Sequence, residues 1–421
     1  MKRKVFCDLT KTKTTTGRKS LKKRLPYLAI LFVVFLLLPL FFDSSVAYAD
    51  NGKTEEEIRK ELSDAVNGAI DSLDLKDLQK FLDNLSGDGK TALNASDVKQ
   101  MLKSLANGES VDFYESFFNF LSKTAGRYFL SFLPGLITIL AICLLKNILC
   151  GVTGDFLNNS TSEVVHTVCY CSIVIVLVSG VFTIVFAVAD TIELLTNFAN
   201  AIFPVLLALL SALGGAGSVG GFSPLMAVFC STIMKMTTAV VLPAFVACIV
   251  FSVVGNVSKS VKLDKLANFV RSASGWLIGI SFGLFGTFLT VQGISGGVVD
   301  KFGFNVAKFA VSSYVPILGG YLSDGFDLLT ASVVIVKNAL GYVGAIILCC
   351  IVVFPLVKVV VFSLSLKLCG AIVEPIGDTR IATLLTSVAK NANLLVSALA
   401  GVGFMFFLIL MMLMSSCNMG V

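Results

Sequence analysis

The chain has 421 residues, of which 56% are hydrophobic and only 14% charged, with 34 Phe and a mean hydropathy of +0.87. Soluble globular chains run nearer about 45–50% apolar and about 25% charged, so the composition excludes that class and marks an all-α, polytopic helical membrane protein. The formal charge of +6 does not signal nucleic acid: ten Lys and Arg lie within residues 1–24, and beyond residue 49 there are 23 basic against 25 acidic residues, which leaves no basic patch.

Residues 1–49 have the form of a signal peptide. A basic n-region ends at Lys22-Lys23-Arg24, an apolar h-region runs from Leu25 to Phe42, and Ala47-Tyr48-Ala49 supplies a small-x-small cleavage pattern. The h-region is also long enough to span uncleaved; cleavage after Ala49 is the favoured reading. In either case residues 50–125 begin outside the cytosol.

Residues 50–125 read as a small extracytoplasmic helical domain. Glu55-Glu56-Glu57 places acidic side chains in a first helical turn, where the dipole favours them, and Ile58, Leu62, Val66 and Ala69 keep helical spacing. A second helix carries Leu75, Leu78, Phe81 and Leu82. A third, capped by Ser96, carries Val98, Met101, Leu102 and Leu105. Asp88-Gly89-Lys90 lacks an acidic ligand at the closing position of a calcium loop and reads as a turn.

Residues 126–421 form the membrane domain. Spans are expected at Tyr128–Leu149, Val164–Ala189, Met236–Val254, Ser274–Gln292, Leu328–Phe354 and Leu394–Met414. Lys and Arg at 259–271 and at Lys358, Lys367, Arg380 and Lys390 place those stretches in the cytosol. Two proline- and glycine-bearing runs, 201–235 and 313–324, are too short to cross and are expected to dip into the membrane and return. Their expected helix breaks are Pro204, Gly214 and Gly215 in the first and Pro316, Gly319 and Gly320 in the second. Phe203-Pro204-Val205-Leu206 echoes Val315-Pro316-Ile317-Leu318, and Asp264 echoes Asp378. This suggests direct repeats, 201–293 and 313–414, of the kind that place broken helices in corresponding positions.

Polar residues inside apolar runs are costly in hydrocarbon and face protein or water. Gln292, Lys308, Asp324, Lys337 and Asn338 are the candidate pore or interhelix residues, with snorkelling as the competing reading for Lys337-Asn338 and the favoured one for Lys235 and Lys358. No catalytic, cofactor-binding or metal-binding set stands out, and the chain reads as a non-enzyme. His166 is the single His of the chain. Cys169-x-Cys171 and Cys349-Cys350 lack partners at zinc spacing. Gly214-Gly215-Ala216-Gly217 lacks the Lys of a phosphate loop.

The order Val291-Gln292-Gly293, Lys308-Phe309, Pro316-Ile317-Leu318-Gly319, Asp324, Lys337-Asn338, Phe354-Pro355, Pro375 and Gly377 resembles the stage III sporulation protein AE family, polytopic membrane proteins of endospore-forming Firmicutes. The similarity runs from near residue 128 to near the C-terminus. Glu374 stands where Gln is expected. The resemblance implies an oligomeric subunit of a channel or secretion-like complex in the mother-cell membrane around the forespore. It also implies other stage III A-operon proteins and the forespore stage II Q protein as partners, and a role in late forespore gene expression. A stand-alone small-solute permease is the alternative. The scarcity of membrane-embedded acids, with Asp190, Glu193, Asp300, Asp324, Asp327 and Glu374 near membrane edges, favours the conduit or scaffold.

Overall fold

The computed structural model describes residues 55–84, 97–107, 113–153, 159–257, 263–314, 319–376 and 379–416, which are helical almost throughout, without a strand. The expected signal peptide and Pro316 lie outside the described residues. So do the side chains of Gln292 and Lys308, on α8 as defined below, and of Asp324 on α9.

Three short helices open the described chain: α1 (Glu55–Ser72), α2 (Lys76–Asn84) and α3 (Val98–Ala106). Each buries one stripe at helical spacing, with Leu62, Val66 and Ile70 on α1, Leu78, Phe81 and Leu82 on α2, and Val98 and Leu102 on α3. The cap of α3 is Asp97, one residue after the expected Ser96; its Oδ1 accepts a hydrogen bond from Lys99 N at 2.8 Å. Gln79 Oε1 accepts from Val98 N at 3.0 Å, so α2 satisfies a second free amide of that helix start. Lys99 and Lys103 reach Asp71 at 3.8 and 3.1 Å; all three are well exposed, and such pairs add little. The apolar stripes do most of the holding, because α1 and α3 pack on α9, and α2 on α5.

The long helices follow: α4 (Phe113–Thr153), α5 (Asn159–Ala212), α6 (Ala216–Met236), a π-helical turn at Thr237–Val241, α7 (Leu242–Val257), α8 (Asp264–Tyr314), α9 (Gly319–Val373), a 3-10 turn at Glu374–Ile376, and α10 (Thr379–Ser415). Six stretches are long and apolar enough to cross a membrane: Asn119–Leu149, Glu163–Ala212, Cys230–Val257, Lys265–Thr290, Leu328–Ile376 and Thr379–Ser415.

One expectation is corrected here. Pro204 does not break a helix; it sits inside α5, which continues to Ala212. A proline in an apolar bundle removes one backbone hydrogen bond, and neighbouring helices compensate; Pro134 and Pro355 are also accommodated within α4 and α9. The break comes at Gly214, the second candidate, which has φ 80°. Its N–H bonds Ser211 O and the N–H of Gly215 bonds Leu210 O, both at 3.0 Å. This is a Schellman closure, in which the residue after the helix cap takes the left-handed conformation that glycine adopts without cost. The glycine run ends there as a break, since Ala216 already starts α6. Lys358 and Lys367 both belong to α9, which runs unbroken from Gly319, the fifth candidate break residue, through Gly320 to Val373.

The π turn has a local cause. Pro243 cannot donate to the carbonyl four residues back and its ring crowds that carbonyl. The helix widens instead, and Leu242 N bonds Thr237 O. Just upstream, Ile233 O and Met234 O share the Thr237 N–H and also accept hydroxyls, Thr237 Oγ1 on Ile233 O at 2.9 Å and Thr238 Oγ1 on Met234 O at 3.0 Å.

The core is the antiparallel pair α9 and α10, the most extensive contact in the chain. Between Val336 and Phe354 no side chain of α9 is exposed. Glycines permit the close approach: a Cβ at Gly341 would collide with Met414, and one at Gly403 would lie 2.7 Å from Val352 Cγ1. Val352 is β-branched and stiff, so it cannot turn aside at no cost. Gly403→Ala is therefore expected to destabilise the bundle by about 1 kcal/mol through overpacking, read as a lower thermal midpoint of the detergent-solubilised protein. Cys143, Cys169, Cys230, Cys248, Cys349, Cys350 and Cys369 fill this interior as buried free thiols, and Cys171 is exposed.

Candidate functional site

Two polar clusters lie inside the bundle, one at each end of the α9–α10 pair. The first is the expected pair Lys337-Asn338, and its two members behave differently. Lys337 is 0% exposed, and its Nζ donates to the carbonyl of Ser416. Ser416 follows the last residue of α10, where backbone carbonyls lack helical partners and a cation complements the dipole. The ammonium therefore closes the end of a neighbouring helix. Asn338 is half-buried, and its Oδ1 is buried without a hydrogen-bond partner among the described residues.

The second cluster was not singled out in the sequence. Arg271 lies two turns into α8, and its Nε and a terminal nitrogen donate to Asn391 Oδ1 at 3.0 and 2.5 Å. Asn391, 1% exposed on α10, donates through Nδ2 to Cys248 O and Ser252 Oγ on α7, both at 3.1 Å. Ser252 Oγ in turn donates to Cys248 O at 2.8 Å. One asparagine thus ties three helices together, with both ends of its amide used. The sequence counted Arg271 as one of several cytosolic charges. The available signal was Asn391, one of two amides in Lys390-Asn391-Ala392-Asn393 between apolar runs, where small neighbours such as Ala389 and Ala392 let another backbone approach.

Beside these, a cavity of about 420 Å³ opens between α4, α5 and α9, lined by Phe132, Gly135, Ser179, Thr183, Phe362 and Ser365. Ser365 Oγ is buried there with no hydrogen-bond partner among the described residues. About one turn away along α4 and α9, Lys358 Nζ lies 5.9 Å from the Tyr128 ring in a cation–π contact. A shallower polar pocket between α2 and α5 is lined by Asp77, Lys80, Phe81, Asn197 and Asn200, and under it Phe81 meets Phe198 with ring centroids 5.7 Å apart. Among the described residues no three His, Cys, Asp or Glu side chains converge as a metal site. The chemistry on offer is hydrogen bonding and helix-end closure.

Of the other candidates, Gly214 and Gly215 make the α5–α6 turn, Gly319 and Gly320 start α9, and Pro204 is exposed on α5. The turn at Gly214 and Gly215 leads into α6, and residues 315–318 lie outside the described residues.

Comparison with known proteins gives one family. The profile described as stage III sporulation protein AE matches residues 96–417, which includes α3 and so reaches further toward the N-terminus than the resemblance read from the motifs. A curated relative, stage III sporulation protein AE of Bacillus subtilis (strain 168), is 28% identical over 284 residues, covering 68% of this chain and 70% of that protein. No solved structure matches.

Proposed function

Because the chain belongs to the stage III sporulation protein AE family, we propose that it is a structural and conducting subunit of a channel or secretion-like complex linking mother cell and forespore. In this reading it sits in the mother-cell membrane around the forespore, acts as an oligomer with other stage III A-operon proteins and the forespore stage II Q protein, and sustains late forespore gene expression. A sporulation role and a multi-pass membrane setting follow from the family and the six apolar helices.

The observation that carries the finer reading is the closed interior. Lys337 is spent on the end of α10, Arg271 is spent on Asn391, and α9 is covered on every side from Val336 to Phe354. A solute permease needs polar groups facing a path through its own fold. The buried Lys337 and the half-buried Arg271 are committed to holding helices together, which supports a conduit formed between subunits rather than a charged path through this fold. The test is affinity purification of the tagged full-length chain from sporulating cells in mild detergent, with a late forespore reporter scored in the depleted strain. The expected result is a particle much larger than one chain that carries the other stage III A-operon proteins, and loss of reporter expression on depletion. A single-chain species that takes up solute in vesicles overturns the proposal in favour of the permease.

A further inference from the structure

Three helices are too long for a bilayer. With 54, 51 and 55 residues, α5, α8 and α9 each measure about 80 Å at 1.5 Å per residue, against a hydrocarbon layer of about 30 Å. Exposure shows which part meets lipid. Large apolar side chains open to the outside occur in bands: Leu130 to Leu149 on α4, Val164 to Phe186 on α5, Val240 to Val257 across the π turn and α7, and Leu266 to Leu284 on α8. These bands are about 28, 33, 26 and 27 Å tall. A shorter band on α9 runs from Val360 to Ile372.

The bands lie side by side. Phe132 meets Phe362 at 5.3 Å, a Cβ at Gly180 would touch that same ring at 3.1 Å, and Tyr170 OH donates to Val253 O at 2.8 Å. Exposed charges bound the α5 band, Glu163 at one end and Asp190 and Glu193 at the other. Beyond that second edge, exposed large apolar residues reduce to Val228 and Leu329 among the described residues. There α9 is enclosed by protein: Gly341 faces Met414, Gly344 faces Ile202, and α1 and α3 lie against the helix.

A helix that is apolar all round is buried by lipid or by protein, and here protein does it. We infer that bilayer hydrocarbon wraps only this band. The stretch 336–354, within the most apolar span among the described residues, stands outside the membrane as the core of a helical head that carries α1–α3. The inference moves the α9 crossing from the expected Leu328–Phe354 to the segment below Phe354, and it places Lys337 in protein rather than at bilayer depth.

The chain holds a natural reporter. Trp276 is its sole Trp, is 73% exposed, and sits in the middle of the α8 band. The full-length chain is reconstituted in phosphatidylcholine vesicles whose acyl chains carry bromine at shallow, middle or deep positions. Trp276 is expected to lose most of its emission, with the deep bromines most effective, and to resist aqueous iodide. The variant W276F/L329W puts the sole Trp above the band, and W276F/V360W puts it within. The first is expected to be quenched by iodide and spared by bromolipid, the second to behave as Trp276 does. Quenching of the Leu329→Trp probe by bromolipid as strong as that of Trp276 overturns the inference, and so does iodide quenching of Trp276 in the unsubstituted protein. The latter measurement needs no variant to fold.

Discussion

Asn391→Leu is expected to lower the stability of the detergent-solubilised protein by about 3 kcal/mol. The substitution roughly preserves volume, so the loss comes from hydrogen bonding. It leaves the Arg271 guanidinium, half-buried between helices, without the oxygen that accepts two of its N–H groups. It also strips Cys248 O and Ser252 Oγ of the Asn391 donor. Bonds to charged groups are worth about 1.5–3 kcal/mol, and a buried charge left uncompensated costs more than the bond itself. Arg271→Leu removes the charge together with its need for an acceptor, so it is expected to cost less. The double variant Arg271→Leu with Asn391→Leu should then lie well short of the sum of the two single losses. Thermal midpoints of the four proteins provide the measurement. Additive losses would mean that the two side chains act independently and that the three-helix tie is not a unit.

Lys337→Leu and Asn338→Leu are expected to diverge, although from their adjacency alone they read as one polar patch. Losing Lys337 removes the donor that closes the end of α10 and leaves the half-buried Ser416 carbonyl without it, a cost of about 1 kcal/mol. The damage should be local: faster amide exchange over residues 412–416, with the rest of α10 unchanged. Asn338→Leu removes an oxygen that already lacks a partner, so it is expected to be neutral or to stabilise by up to about 1 kcal/mol. Both variants should insert at normal abundance. In sporulating cells the late forespore reporter should fall for Lys337→Leu and hold for Asn338→Leu. Equal behaviour of the two would restore the single-patch reading.

The helical character of this chain is legible from composition, and the stripes of α1–α3 are legible from spacing, because an amphipathic helix writes its buried face into the sequence. What misled was Pro204. It signalled a break, yet in a bundle the missing hydrogen bond there is absorbed and the chain turns ten residues later, where Gly214 can take a left-handed conformation. Lys358 and Lys367 lie on α9 inside the apolar segment, and the first rests over Tyr128, contacts that a charge count does not show. Sequence also located Lys337 and Asn338 without separating them, since nothing local says which side chain meets the end of a helix nearly eighty residues on. The Arg271–Asn391 contact was out of reach for the same reason, joining positions far apart in the chain through groups that are each unremarkable.

The π turn at Thr237–Val241 bears on how this fold tolerates change in length. An α-helix that gains one residue rotates everything beyond it by about 100°. In this chain that rotation would uncouple the two faces on either side of the turn. Met236 accepts from Ser281 Oγ on one side, and Cys248 and Ser252 meet Asn391 on the other. A turn that closes over five residues instead of four stores the extra residue as width, so both faces keep their phase. Removing one residue between 237 and 241 therefore returns the segment to an ordinary α turn with its neighbours still in step. The same removal one turn lower, within α7, throws Asn391 and Arg271 out of register, so a single-residue deletion is expected to be tolerated at the π turn and not below it.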